Sequence, residues 1–205
     1  GKVTLYATSE KGYKNLTKLS SLSYLTNKDS YDPYCKIDDL ISNNEDLILL
    51  TGNYNNFFGK LFYANKIKYF EKIIKELKSS FKDRLYIEIQ RHGESQEENY
   101  ENYLLKLSSL LDLPIIAGQE VYYLDPGMAE AHDALICIGQ KEFIDDKNRF
   151  RYSNQHYLKT NEEIQKLYKD IPEALENNYN FPLRFNFKPK KSKPILPLIS
   201  SNKDI

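Results

Sequence analysis

Hydrophobic and polar positions along the chain change period repeatedly, and the changes mark out short strands separated by helices. Val3-Thr4-Leu5-Tyr6-Ala7 is β-branched and apolar, then meets Ser9-Glu10-Lys11-Gly12, which reads as a strand leaving into a turn. Tyr13, Leu16, Leu19, Ser20 and Ser23 fall at three- and four-residue spacing, which predicts an amphipathic helix over 10–25. A loop over 27–35 contains Asp32-Pro33, a short helix covers 37–41, and Asp46 to Thr51 is a buried strand ending at Gly52. The apolar stripe Phe58, Leu61, Phe62, Ile67, Phe70, Ile73, Ile74 and Leu77 predicts two helices within 57–78. Leu85 to Ile89 is a strand. Residues 96–111 form a helix with glutamates in its first turn, where the helix dipole favours them.

Pro114 to Gly118 reads as a further buried strand that continues into Gln119-Glu120-Val121-Tyr122-Tyr123. Asp125-Pro126 is an N-cap with proline at the first helical position, opening a helix over 126–138 that ends at Gly139. Strands alternating with helices point to an α/β fold with a mostly parallel sheet or barrel. Beyond 140 the periodicity fades: 141–159 is polar, and short helices are expected over 161–167 and, opened by Pro172, over 171–178. The tail holds Pro182, Pro189, Pro194 and Pro197 among basic residues, a composition that predicts an extended linker without a core.

Charge sharpens this division. The chain has 29 basic and 29 acidic residues, so it lacks the overall basic character of a free-standing DNA-binding domain. Residues 181–205 carry Arg184, Lys188, Lys190, Lys191, Lys193 and Lys203 against Asp204 alone, which leaves the body mildly acidic. Two cysteines, Cys35 and Cys137, stand outside any CxxC, which argues against a disulfide framework or structural zinc and for a reducing, cytoplasmic compartment. No apolar run reaches the length of a membrane span, and the N-terminus lacks a signal-peptide layout.

Candidate chemistry is sparse. His92 lies just past a predicted strand end, where open sheets and barrels place their sites, although a lone loop histidine is more commonly a structural hydrogen-bonding group. His132 and Asp133 are adjacent on a helix and diverge by about 100 degrees, so they cannot chelate one ion, and His132 reads as buried against a loop. His156 reads as structural or exposed. Glu120 sits at a strand end with Tyr122 on the same side, but no second ligand lies within two residues. Nucleotide-loop and zincin motifs are absent.

Four stretches together carry a resemblance: Glu10-Lys11-Gly12-Tyr13-Lys14-Asn15-Leu16, Tyr86-Ile87-Glu88-Ile89-Gln90-Arg91-His92-Gly93, Ala129-Glu130-Ala131-His132-Asp133 and Asp170-Ile171-Pro172-Glu173-Ala174-Leu175-Glu176-Asn177. With Asp145-Asp146 and Tyr157-Leu158-Lys159 between the last two, the chain resembles, collinearly from Leu5 to Leu198, the PHP (polymerase and histidinol phosphatase) domain of the bacterial replicative DNA polymerase III alpha subunit. The resemblance implies a portion of a distorted (β/α)7 barrel with mostly parallel strands over 1–180, lacking the opening histidine-containing strand and first repeats. Residues 181–205 would be the linker toward a palm that this chain does not contain, and Ile195-Leu196-Pro197 resembles that passage.

Metal-bearing members of the family hold a histidine, a cysteine, an aspartate and a histidine where this chain has Lys2, Asn53, Glu120 and Tyr122, so the resemblance implies a degenerate metal cluster in which Glu120 alone keeps a usable ligand. Magnesium would belong to the absent palm of the parent enzyme. The chain by itself is then expected to be inactive: a structural and docking module whose partners are the rest of the alpha subunit and the proofreading exonuclease subunit, touching DNA weakly or through the parent. The alternative is a metal-dependent phosphoesterase or proofreading nuclease built on His92 and Glu120.

Overall fold

Leu47-Ile48-Leu49-Leu50 is buried at all four positions, so both faces of this strand must be covered. The computed structural model describes residues 1–25, 32–191 and 193–194, and in it this strand, β2 (Leu47–Leu50), is an inner strand of a four-stranded open sheet of order β1-β2-β3-β4. β1 (Thr4–Ala7) runs antiparallel to β2, with Thr4 opposite Leu50 and Ala7 opposite Leu47. β3 (Leu85–Gln90) and β4 (Ile115–Gly118) continue parallel, with Leu49 opposite Leu85 and Ile87 opposite Ile115. The fold is thus α/β with a mostly parallel sheet.

The helices between the strands are α1 (Glu10–Leu25), α2 (Ile37–Ser42), α3 (Phe57–Tyr63), α4 (Ile67–Phe81) and α5 (Glu97–Leu111), followed by α6 (Ala129–Gln140), α7 (Asn161–Leu167) and α8 (Pro172–Asn180). Alternation along the strands sorts their side chains into two layers. Leu47, Leu49, Leu85, Ile87, Ile89 and Ile115 face α4 and α5, where Phe70, Ile74, Leu77, Phe81, Leu104 and Leu107 complete the main core. Ile48, Leu50, Tyr86 and Ile116 face the other way. Gly12 permits α1 to dock at the start of β2: a Cβ there would lie 2.2 Å from the Asp46 carbonyl.

That second layer corrects the expectation for the tail. Phe181 and Phe185 pack on Ile48, Leu50, Tyr86 and Ile116, and both rings also meet Tyr6 edge-on. Arg184 pins the segment by donating to the Tyr86 hydroxyl and the Asp83 carbonyl, each at 2.7 Å. A 25-residue composition rich in lysine and proline hid two phenylalanines that act locally as core. The expected loop over 27–35 lies partly, and Ile195-Leu196-Pro197 wholly, outside the described residues.

Two further expectations change. Tyr13 is 48% exposed rather than part of the buried face of α1. The helix predicted over 126–138 begins as a 3-10 turn over Pro126–Met128, capped by the Asp125 carboxylate accepting from the Gly127 N–H at 3.0 Å; the α-helix starts at Ala129 and stops where Lys141, not Gly139, takes a left-handed φ of 59°.

The two edges of the sheet differ. Asn178 uses both ends of its amide on Ala117, accepting from its N–H at 3.1 Å and donating to its carbonyl at 2.9 Å, while Asn177 donates to the Ile115 carbonyl at 2.7 Å. These side chains satisfy the outer edge of β4 as a fifth strand would. No strand among the described residues pairs on the outer side of β1.

Candidate functional site

The three parallel strands end side by side, and the residues just beyond them converge, as the carboxyl ends of an open α/β sheet do. β2 contributes Asn53 across a turn at Gly52, which has a φ of 78°. β3 contributes Glu88, Gln90, Arg91 and His92, and β4 contributes Gly118 and Glu120. A chain of hydrogen bonds joins them. Gln90 Nε2 donates to Glu88 Oε1 at 2.6 Å, and Asn53 Nδ2 donates to Gln90 Oε1 at 3.1 Å and to Glu120 Oε2 at 3.3 Å. Glycine at 118 makes room for this, since a Cβ would lie 2.1 Å from Glu88 Oε1. Burial raises the Glu88 carboxyl above its ordinary range; the Glu120 charge adds to the rise and the Gln90 hydrogen bond opposes it. Tyr54 is pushed up to about 12, first by burial and then by Glu94 and Glu97.

Among the positions that the family pattern singles out, Asn53, Glu120 and Tyr122 meet. The Tyr122 ring lies 4.7 Å from the Tyr152 ring, and burial, then the neighbouring Tyr152 and Glu120 side chains, raises its hydroxyl well above the ordinary tyrosine range. Lys2 is exposed and joins the fold through its backbone, where its carbonyl accepts the Phe57 N–H at 2.9 Å. These side chains do not suit a divalent ion: Asn53 turns an amide N–H, not a lone pair, toward Glu120, and a protonated tyrosine is a poor ligand. Among the described residues no group of three His, Cys, Asp or Glu side chains gathers in a metal-holding arrangement. Cys35 donates its Sγ–H to the Leu19 carbonyl at 3.1 Å, and Cys137 is buried on α6.

The expected strand 119–123 is replaced by an irregular segment, and histidines explain why. The Glu120 N–H donates to His92 Nε2 at 3.1 Å, the Tyr122 N–H donates to the His156 carbonyl at 2.9 Å, and His156 Nδ1 donates to the Glu120 carbonyl at 3.1 Å. With its backbone satisfied this way, the segment pairs like a strand only at the isolated bridge between Tyr123 and Tyr157. The other nitrogen of His92, Nδ1, lies 3.1 Å from Glu97 Oε1, whose carboxylate also accepts the His92 and Glu94 backbone N–H groups. Burial pushes the Glu97 carboxyl up, but the His92 side-chain and backbone hydrogen bonds outweigh it, so the net shift is downward. Both ring nitrogens of His92 are therefore committed, which removes it as a ligand or base beside Glu120.

His156, expected to be structural or exposed, is 3% exposed and stacks on His92 with ring centroids 4.1 Å apart and planes 2° apart. Its Nδ1 is engaged by the Glu120 carbonyl, and Nε2 lies 3.9 Å from Glu94 Oε1. Burial, then the neighbouring His92 ring, lowers its pKa and favours the neutral form. Sequence reading missed this pair because, within a polar and mostly part-exposed 152–157 segment, His156 alone is buried, by a partner far away in the chain. His132 is half-buried and stacks on Tyr122 at 5.1 Å, whereas Asp133 turns away to form a bidentate pair with Arg149. The Arg149 side chain is 1% exposed and also donates to the Ile144 carbonyl, which ties the 141–151 loop to α6. Arg149→Ala is expected to free that loop, so that limited chymotrypsin digestion cleaves at Phe143 and Phe150 while the circular dichroism of the remaining helices is unchanged.

Residues 1–92, which end at this buried histidine, match the PHP domain family. DNA polymerase III subunit alpha from Caulobacter vibrioides is 36% identical over 193 residues, covering 94% of this chain and 17% of that protein. The same subunit from Rickettsia bellii is 35% identical over 206 residues, and that from Escherichia coli is 32% identical over 196, again 17% of each relative. The chain carries a PHP domain and is homologous to a region of these subunits. It spans about a sixth of the length of the curated relatives it matches. Arg91 joins the end of β3 to Glu101 of α5 and to Asp170, and His92 joins Glu97 to the Glu120 N–H. No helix among the described residues is long and apolar enough to cross a membrane.

Proposed function

We propose that the chain is the PHP-domain portion of a replicative DNA polymerase III alpha subunit, acting as a structural and docking module with a degenerate metal centre. Its open sheet would be the later part of the distorted seven-stranded barrel, with the domain running through Phe185, which packs on the sheet, and the basic residues after it leading toward the palm, where magnesium would serve nucleotidyl transfer. The rest of the alpha subunit and the proofreading exonuclease subunit are the proposed partners, in the cytoplasm. The observation that carries the inactive reading is the Glu88-Gln90-Asn53-Glu120 hydrogen-bond chain, in which amides occupy the space between two carboxylates. The phosphoesterase alternative built on His92 and Glu120 lacks a free imidazole nitrogen.

Elemental analysis of the purified chain, after dialysis against zinc and manganese, is expected to return well under one metal per chain. Added manganese is expected to give no hydrolysis of p-nitrophenyl phosphate above the blank. A full equivalent of either metal, lost on Glu120→Ala, would reinstate the phosphoesterase reading.

A further inference from the structure

At the end of the sheet opposite Glu120, the tail builds a surface that the strand-end site does not use. After Phe185 the chain passes the exit of β1, where the Asn186 N–H donates to the Thr8 carbonyl at 3.2 Å, and then runs beside α1. The Phe187 ring lies 5.5 Å from the Tyr13 ring, tilted by 34°. Together they wall a groove of about 510 Å3 lined by Tyr13, Lys14, Thr17, Phe187, Lys190 and Lys191, among others.

Lys14 of α1 lines one side of the groove and Lys190 and Lys191 of the tail the other, with Glu10 also in the wall; Lys18, Lys188 and Lys193 flank these positions in sequence. Lys14 and Lys18 are four residues apart on α1, which sets them on one helix face about 6 Å apart along the axis. Lys188 and Lys190 are two residues apart in a tail with no helix or strand, about 7 Å if extended. Lys191 and Lys193 are of the opposite parity, so an extended segment presents them on its other side, and all six lysines are exposed. The nearby acid Glu10 pairs with Lys14 at 3.2 Å, but both side chains are more than 60% exposed, so the pair is weak and does not hold Lys14. Half of the Tyr13 surface remains open.

We propose that this groove binds single-stranded nucleic acid, with phosphates on the lysines and one base stacked on Tyr13. Lysine rows beside a partly open aromatic ring form the pattern by which single strands are held without sequence preference. A duplex keeps its base faces covered and could use the lysines alone. A membrane would need an apolar wedge, whereas Phe187 is half-buried against Tyr13 and the surface is concave. The inference stands on this surface alone and does not depend on the polymerase assignment.

The test is fluorescence anisotropy of a fluorescein-labelled oligothymidylate with the full 205-residue chain at low salt. Affinity is expected to fall linearly on a log–log salt plot. Lys190→Glu with Lys191→Glu is expected to weaken binding at least ten-fold and to flatten the salt slope by about 1.4, at about 0.7 for each lost contact. Tyr13→Leu, which preserves packing against Phe187, is expected to cost about ten-fold without changing the slope. Lys75→Glu, on the far helix α4, serves as the charge control and is expected to change neither. No binding, an equal loss with Lys75→Glu, equal affinity for duplex with no effect of Tyr13→Leu, or recruitment to phosphatidylserine vesicles without oligonucleotide binding would each overturn the proposal.

Discussion

Arg91→Ala is expected to destabilise the chain by about 3 kcal/mol, because it strips the partner from a carboxylate that remains mostly buried. The guanidinium reaches from the end of β3 to three elements at once. It forms a bidentate pair with Glu101 on α5, a second with Asp170 at 2.7 Å for both bonds, and donates to the Leu167 carbonyl at 2.6 Å. The Arg91 side chain is 19% exposed and Glu101 15%, whereas Asp170 is 56% exposed, so the Glu101 pair carries most of the cost. Arg91→Lys keeps the charge but cannot serve two bidentate partners, so it should recover less than half of the loss. Urea unfolding should show a lower midpoint with an unchanged slope.

The Asp170 pair gives the smaller part of the effect a pH dependence. Hydrogen bonds from Arg91 hold the Asp170 carboxyl below its ordinary value. A carboxyl depressed in the folded state contributes stability above its unfolded pKa, about 3.9, and loses it as pH falls through the folded value. The gap between wild type and Arg91→Ala should therefore be widest near neutrality and narrow below about pH 4. A gap that stays constant into that acid range would mean that the Asp170 pair contributes little beside the Glu101 pair and the packing of Arg91 on the Tyr168 ring at 5.1 Å.

Tyr168→Ala should cost still more, about 4 kcal/mol, as the loss of a large side chain that is 1% exposed. Tyr168→Phe should cost about 1 to 2 kcal/mol. The hydroxyl sits 3.0 Å from the Gly118 carbonyl and 3.2 Å from the Ile89 carbonyl, so one proton is shared between the ends of β4 and β3. Burial raises its pKa well above the ordinary range, which keeps that proton in place. Comparing the two variants in urea separates ring from hydroxyl; a phenylalanine variant as unstable as the alanine one would make the strand-end hydrogen bond, not packing, the larger contribution. Because Tyr168 and Arg91 touch, their losses should fall short of additive in the double variant.

Together these residues explain how the strand ends stay ordered around the hydrogen-bonded Asn53, Gln90 and Glu120 side chains. The loops after β3 and β4 are fixed by the His92 ring, the Glu97 carboxylate and the stacked His156. All are buried, so the arrangement should persist whatever occupies the surface above it.

What the residues determine locally was legible in the sequence. The order of strands and helices, the paired helices within 57–78, the Asp125-Pro126 cap and the burial of β2 all follow from periodicity and capping, because each depends on neighbours a few residues away. The grouping of Lys2, Asn53, Glu120 and Tyr122 came from the family resemblance, and of these the fold brings Asn53 and Glu120 within hydrogen-bond distance while Lys2 stays exposed. Tertiary structure alone decided the rest. Phe181 and Phe185 became core because the second face of the sheet lacked a cover, and His156 was buried because His92 offered a ring to stack on. The strand expected after Gly118 dissolved because a histidine nitrogen, a histidine carbonyl and a ring N–H satisfied its backbone. Periodicity specifies that a face must be covered or an amide paired; which distant group does so is settled only when the chain closes on itself.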